Sequence, residues 1–370
     1  MQFKKVLYLC NIPSPYMVDY LNELGKYCNL TAIFERSKST ERGDRWSNYR
    51  FISFRGIVLR GVNYSFDQSF SPSILFHLVS NNYDYIFITN PLTLTGILSI
   101  QYFRIRKIKY IIESEGSFPK DGKGFKEKFK KYIIANAYQY FSTTKLADDY
   151  LITYGADSKR IIKYPYSSIF DKDVITAPNT LEKKNYIRSR LGIKGDVVII
   201  AVGRFIKLKR YQELIKIWKY FDLSHQLIIV GEGPERENYE DLILENQLGN
   251  VKIVNFLNKE ELLDYYDASD IFVHPTESDT WGLVINEAMS RGLPVITTTK
   301  CIAGLELVKG NGYIVNSELS DLRYKIEYLI ENPEIRKLMS LRSLEIIKDY
   351  TIETMAQKHI NYINKVENSL

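Results

Sequence analysis

Two carboxylates eight positions apart, Asp279 and Glu287, lie in the segment FVHPTESDTWGLVINEAM, residues 272–289. The spacing puts Asp279 in a loop after a short strand. Glu287 falls in the following helix, about one and a half turns past Gly282. Carboxylates accept paired hydrogen bonds from vicinal hydroxyls, as on a sugar or ribose ring. A second group, Gly203-Arg204-Phe205-Ile206-Lys207-Leu208-Lys209-Arg210, puts four cations directly after a predicted strand and before a helix. Fixed charge beside a helix N-terminus can grip a diphosphate. A third, Gly231-Glu232-Gly233-Pro234, offers glycines that let backbone approach a ligand, with proline at a favoured first helical position. Arg236 stands where a dinucleotide fingerprint needs its third glycine, so nicotinamide or flavin binding is poorly supported.

Each feature alone has a plainer reading. A basic turn is often only solvated, and a lone acid usually sits on a surface. Glu277 competes with Asp279, although the register to Trp281-Gly282 favours Asp279. His274 is expected to be a packed histidine. His77, His225 and His359 are scattered, and no metal cluster is expected. Asp264, Asp267 and Asp270 are expected to form a solvated helix face. Cys10, Cys28 and Cys301 fit reduced thiols rather than a disulfide framework or a zinc site.

Strands are predicted at Val197–Val202, Gln226–Val230, Val251–Asn255, Ile271–His274 and Pro294–Thr298, with helical patterns between them. The first half gives the same signal more weakly, at Val6–Leu9, Leu30–Phe34, Tyr85–Thr89, Tyr110–Glu113 and Gln139–Ser142. Such alternation means βαβ units and parallel α/β sheets buried on both faces. The 370 residues exceed what one core usually supports. Two Rossmann-like domains are therefore expected, facing across a cleft. The first covers 1–170, completed by a helix near 352–370, and the second covers 171–351. Ligands of open α/β sheets bind beyond the carboxyl ends of the strands, where all three groups above fall.

The chain is 45% hydrophobic and 25% charged, which excludes disordered, collagen-like and polytopic membrane classes. The uncharged run 85–103 approaches the length of a membrane span, but Asn90-Pro91 and Gly96 interrupt it. A buried strand followed by a helix is the simpler parse. The start, MQFKKVLYLCNIP, reads as a first strand rather than a signal peptide. Residues 1–175 hold 25 basic against 16 acidic side chains, +9, and the remainder 25 against 28, −3. A basic first half suits an anionic surface or ligand. Within it, Lys120–Tyr140 has apolar residues recurring at i+4 among many lysines, which reads as a membrane-surface helix or as a Lys-rich helix packed on its own sheet.

In order and spacing these motifs resemble the retaining, family 4 type of GT-B glycosyltransferase (glycosyl transferases group 1), of the surface-polysaccharide kind. The resemblance rests on Gly203, Arg204, Phe205 and Lys209; on Gly231, Gly233 and Pro234; and on Asp279-Thr280-Trp281-Gly282 through Glu287-Ala288. It covers the second half firmly, and the first by length and strand pattern only. It implies a donor site of Gly203, Gly231, Gly233, Thr280, Trp281, Gly282, Leu283 and Glu287, with Glu287 on the ribose. Arg204 and Lys209 would hold the diphosphate, and Asp279 the donor sugar.

The implied activity moves a sugar from a nucleotide diphosphate donor, a UDP-sugar, to a glycan or polyprenyl-linked acceptor, without a metal or other cofactor. The implied place is the cytoplasm, at the inner face of the membrane, with no nucleic-acid partner. The chain departs from the family in having Asp279 where Glu is usual and Glu115 where many relatives have His. Its first loop also lacks the usual glycine pair. Pro15, Tyr16, Glu115 and Gly116 are therefore candidates for the acceptor or donor-sugar side. Two other readings stay open: a UDP-sugar 2-epimerase of the same fold, and a non-catalytic nucleotide- or polyanion-binding module.

Overall fold

A computed structural model describes residues 3–37, 49–65, 68–80, 82–118, 124–316 and 318–365. The chain divides into two units, Met1–Ser168 with Thr351–Leu370, and Ile169–Tyr350.

The first unit is built on short apolar runs with no alternation, the pattern of strands covered on both faces. Its strands are β1 (Lys5–Cys10), β2 (Asn29–Phe34), β3 (Arg55–Val58), the hairpin β4 (Val62–Ser65) and β5 (Gln68–Phe70), β6 (Tyr85–Ile88), β7 (Ile111–Ser114), β8 (Gln139–Ser142) and β9 (Ile161–Lys163). Seven form one parallel sheet in the order β3-β2-β1-β6-β7-β8-β9. The edge strands β3 and β9 and the hairpin escape sequence analysis because they are three or four residues long and only partly buried. The run 85–103 resolves into β6 and the helix Leu94–Ile105, whose first turn is capped by Thr93 Oγ1 accepting from the Gly96 amide at 3.0 Å. No described helix is long and apolar enough to cross a membrane.

The second unit contains β10 (Val198–Val202), β11 (Gln226–Val230), β12 (Val251–Val254), β13 (Ile271–His274), β14 (Val295–Thr298) and β15 (Gly312–Val315). They form a parallel sheet in the order β12-β11-β10-β13-β14-β15. Its core joins Ile199, Ile229, Leu214, Trp218 and Ile296, all fully buried. Strand order reverses between β10 and β13, so the loops leaving these two strands open a crevice between them. Two helices end the chain, and the second matches the helix expected near 352–370. Pro333–Ile347 belongs to the second unit and Ile352–Lys365 to the first. The latter buries Ile352, Met355, Ala356, His359, Ile360 and Ile363, one stripe of a 3.6-residue period.

Lys120 and Lys123 of the basic stretch lie outside the described residues. Its centre forms the helix Phe125–Ile134, which buries only Ile133 and Ile134. Phe125, Phe129 and Tyr132 are exposed beside Lys126, Lys128 and Lys131.

Candidate active site

The loop after β10 tightens into a 3-10 turn, Lys207–Lys209, and Arg210 takes a left-handed conformation (φ 53°) before the helix Tyr211–Trp218 begins. This reversal turns Lys209 inward, leaving it 8% exposed, while Lys207 and Leu208 face out. The loop after β13 meets that turn through one carbonyl. The Leu208 oxygen accepts from the Glu277 amide at 2.7 Å and from Thr276 Oγ1 at 3.0 Å. Asp279 is held in turn by its own backbone, its amide donating to the Lys300 carbonyl at 3.0 Å.

Within this frame the Lys209 ammonium donates to Asp279 Oδ2, and His274 Nε2 lies 2.9 Å from the same oxygen. Burial pushes the Asp279 carboxyl up, but the His274 hydrogen bond and the Lys209 charge outweigh it and hold the group well below the usual carboxylate range. Burial and then Lys209 push the His274 ring down, against the pull of Asp279. Burial likewise lowers Arg204, while the charge of Asp279 opposes the shift, so Arg204 stands within that carboxylate's field. Arg204, Lys209 and Asp279 thus gather at the switch point of the sheet. The competing Glu277 is exposed and contributes its backbone.

Glu287, half-buried on the helix Leu283–Ser290, receives the Tyr266 hydroxyl at 3.3 Å. Gly282 opens that helix at φ 99°, and a Cβ there would stand 2.9 Å from Cys301 Sγ. Thr280 is exposed and Leu283 half-buried.

Three of the expected donor residues also hold the local fold together. The Trp281 indole is 2% exposed and donates to Asn286 Oδ1 at 2.9 Å, which locks the helix start. Gly231 and Gly233 receive the loop after β10. A Cβ on Gly231 would meet the Gly203 oxygen at 1.9 Å, and one on Gly233 the Phe205 oxygen at 2.5 Å. The two loops are zipped by the Phe205 amide donating to the Glu232 carbonyl at 2.8 Å and the Glu235 amide to the Phe205 carbonyl at 3.0 Å. These glycines are required by loop-on-loop contact.

The three aspartates expected on a solvated face are not alike. Asp267 is buried and paired with Arg291, and Asp270 is paired with Lys184 and Arg188; Asp264 is half-buried, with the most open side chain of the three, and pairs with Arg190. Their spacing on one face was legible, but the cations that pair with them come from distant segments. His274 is packed as expected, and its ring is in addition bonded to a site carboxylate. Among the described residues, His274, Asp279 and Cys301 have donor atoms within 4.8 Å of one another. They do not fit a metal ion: the Lys209 ammonium holds the carboxylate, and burial pushes the Cys301 thiol up to about 12, keeping its proton for the Trp281 carbonyl at 3.1 Å.

In the first unit, Pro15 starts the helix Pro15–Leu24, and Tyr16 meets Tyr166 edge-on at 6.3 Å. The carbonyl of half-buried Glu115 accepts from Thr143 at 2.8 Å, and Gly116 follows at φ 122°. Sequence analysis missed the buried Glu35 and Arg36 after β2. Two charged residues immediately after an apolar strand were the available signal.

Residues 183–343 match the family model described as "Glycosyl transferases group 1". An uncharacterized glycosyltransferase of Haemophilus influenzae is 31% identical over 194 residues, 50% of this chain and 52% of that protein. The alpha-monoglucosyldiacylglycerol synthase of Acholeplasma laidlawii is 25% identical over 244 residues, 65% of this chain and 61% of that protein. The chain thus spans between half and two thirds of these relatives. The crystal structure of Anabaena HepE in complex with UDP is similar at a TM-score of 0.78 and 16% identity, over 99% of this chain and 100% of that one. The fold is the GT-B type, built from two Rossmann-like units.

Proposed function

We propose that the chain is a retaining glycosyltransferase that moves a sugar from a nucleotide diphosphate donor, a UDP-sugar, to a hydroxyl of a lipid-linked glycan. The reading is carried by the meeting of Arg204, Lys209 and Asp279 at the switch point of the second sheet. Two cations there suit a diphosphate that gains negative charge as the sugar departs. Preorganised charge of this kind is worth most in a site shielded from water. Asp279 suits donor-sugar hydroxyls, and Glu287 the ribose.

In this mechanism the glycosidic bond to the diphosphate lengthens, charge grows on the phosphate oxygens, and Arg204 and Lys209 neutralise it. The leaving diphosphate helps to accept the proton of the incoming hydroxyl on the same face. The reaction needs no metal, because side-chain cations do that work. The match to glycosyl transferases group 1 and the likeness to a UDP-bound fold support this choice over other sugar-nucleotide chemistry.

The acceptor is assigned to the first unit, around Pro15, Tyr16, Glu115 and Gly116. The exposed Phe125, Phe129 and Tyr132 among lysines on the helix Phe125–Ile134 support peripheral attachment to an anionic membrane at the cytoplasmic face, in surface-polysaccharide assembly.

The test is incubation with a panel of nucleotide sugars and lipid-linked glycans, with the product's anomeric configuration read by NMR. Transfer with retention is expected. Inversion would overturn the mechanism, and a C2 epimer formed without acceptor would replace it with an epimerase. Nucleotide binding that never leads to turnover with any pair would leave a binding module.

A further inference from the structure

His274 closes β13 and is fully buried, yet its ring is directed by a single partner. A carboxylate oxygen only accepts, so the bond to Asp279 Oδ2 places the ring hydrogen on Nε2. The other nitrogen, Nδ1, is buried and has no partner among the described residues. A histidine retained only for packing gains nothing from a bare buried acceptor, which an apolar ring would avoid. The Lys209 ammonium donates to the same Oδ2 from the turn after β10. Two donors from two strand ends therefore converge on one oxygen. Among the described residues no bond reaches Oδ1 of Asp279.

We infer that His274 is a positioning residue: with Lys209 it grips Oδ2 of Asp279, fixes the carboxylate's rotation and presents Oδ1 to the donor sugar. The inference rests on the proposed role of Asp279 and adds the group that aims it. A neutral donor suits the position. It steadies the carboxylate without adding charge to a cluster where Arg204 and Lys209 already stand ready for a diphosphate. The shielded groups facing the ring are Lys209, Asp279 and Cys301.

The test compares His274→Leu, His274→Gln and His274→Asn. A Gln amide reaches the place of Nε2 and can donate to Oδ2, whereas an Asn amide sits near Nδ1 and falls short. We expect the Leu and Asn variants to lose at least tenfold in kcat with a nucleotide sugar, while the Kd for the free nucleoside diphosphate stays within about threefold. The Gln variant should recover most of the loss. Independently of activity, a 13C NMR titration of the Asp279 carboxyl, assigned with Asp279→Asn, should move upward in Leu and Asn but little in Gln. If the Leu variant does not fold, the Gln and Asn variants decide.

Equal behaviour of Gln and Asn in kcat and titration would overturn the inference. Inactivity of Asp279→Asn with full activity of His274→Leu would remove His274 and leave the reading of the site intact. Full activity of Asp279→Asn would remove both.

Discussion

Nε2 of His359 stands 3.4 Å from Oε2 of Glu113, with both side chains at 1% exposure or less. Nδ1 of the same ring is 2.9 Å from the Met355 carbonyl, which only accepts, so Nδ1 carries a hydrogen. Nε2 itself makes no hydrogen bond among the described residues. Tyr8 donates to the same carboxylate oxygen at 2.9 Å and is joined to Tyr20 at 2.8 Å. The ring stacks on Phe141 at a centroid distance of 4.6 Å. This pair fastens the helix Ile352–Lys365 to the sheet of the first unit. We expect Glu113→Met and His359→Phe each to destabilise that unit by about 1–3 kcal/mol, the scale of leaving a buried hydrogen-bonding group without its partner. The double variant should cost clearly less than the sum. Urea unfolding of the four proteins measures it, and strict additivity would show that the two do not interact.

Glu35 supplies a pH dependence. It is 4% exposed, accepts from Thr93 Oγ1 at 2.6 Å and Asn90 Nδ2 at 3.2 Å, and leaves Oε2 without a partner. It borders a small cavity lined largely by Leu9, Ile33, Leu59, Ile74 and Ile88. Burial, tempered by those two bonds, raises its carboxyl from 4.5 to about 7. The folded state therefore holds this proton more tightly than the unfolded chain. Its stabilising effect is complete below pH 4.5 and is lost as the pH rises through about 7, a difference of about 3 kcal/mol at 1.36 per unit. Glu35→Gln should flatten this part of the stability profile and raise the melting temperature at pH 8. An unchanged profile between pH 4.5 and 8 would exclude Glu35 as its source.

Arg204→Ala and Lys209→Ala should each lower kcat at least ~100-fold, the scale of removing a preorganised charge contact. Lys209→Ala has a second consequence, because its ammonium is one of two donors on Asp279 Oδ2. The Asp279 carboxyl should titrate higher in that variant. Losses below tenfold in both, with folding intact, would take these cations out of the mechanism.

Glu287→Gln should weaken UDP binding about 10–150-fold, since a hydrogen bond to a charged group is worth roughly 1.5–3 kcal/mol. A 2′-deoxyribose nucleotide should bind the wild type more weakly, and the variant nearly as well as UDP does. Tyr266→Phe removes the hydroxyl that Glu287 receives and should give a smaller loss of the same kind. Calorimetry on all three proteins checks this. Additive losses would mean that Glu287 supports its helix without touching the 2′ hydroxyl.

Replacing Lys126, Lys128, Lys130 and Lys131 by Gln should release the protein from anionic liposomes, at about 1 kcal/mol for each lysine near the surface. Binding should also fall with salt, because the Debye length is roughly 8 Å at physiological ionic strength. Sedimentation unchanged by the four substitutions would show that this helix is not the anchor.

The sequence alone determined the βαβ alternation and the places where chemistry gathers. Uninterrupted apolar runs such as Val198–Val202 must be covered on both faces, and the residues just after them must lie at the sheet's carboxyl edge. Arg204, Lys209, Asp279 and Glu287 were legible for that reason. Tertiary structure alone decided which of them touch. Lys209 and Asp279 are 70 positions apart and meet only because β10 and β13 are neighbours in a sheet whose order reverses there. It also gave Gly231, Gly233 and Trp281 a part in holding the loops together, and it paired Asp267 and Asp270 with distant cations. His274 read as an ordinary packed residue in sequence. A histidine's partner depends on which side chain the fold brings to its free nitrogen, and no local pattern carries that information.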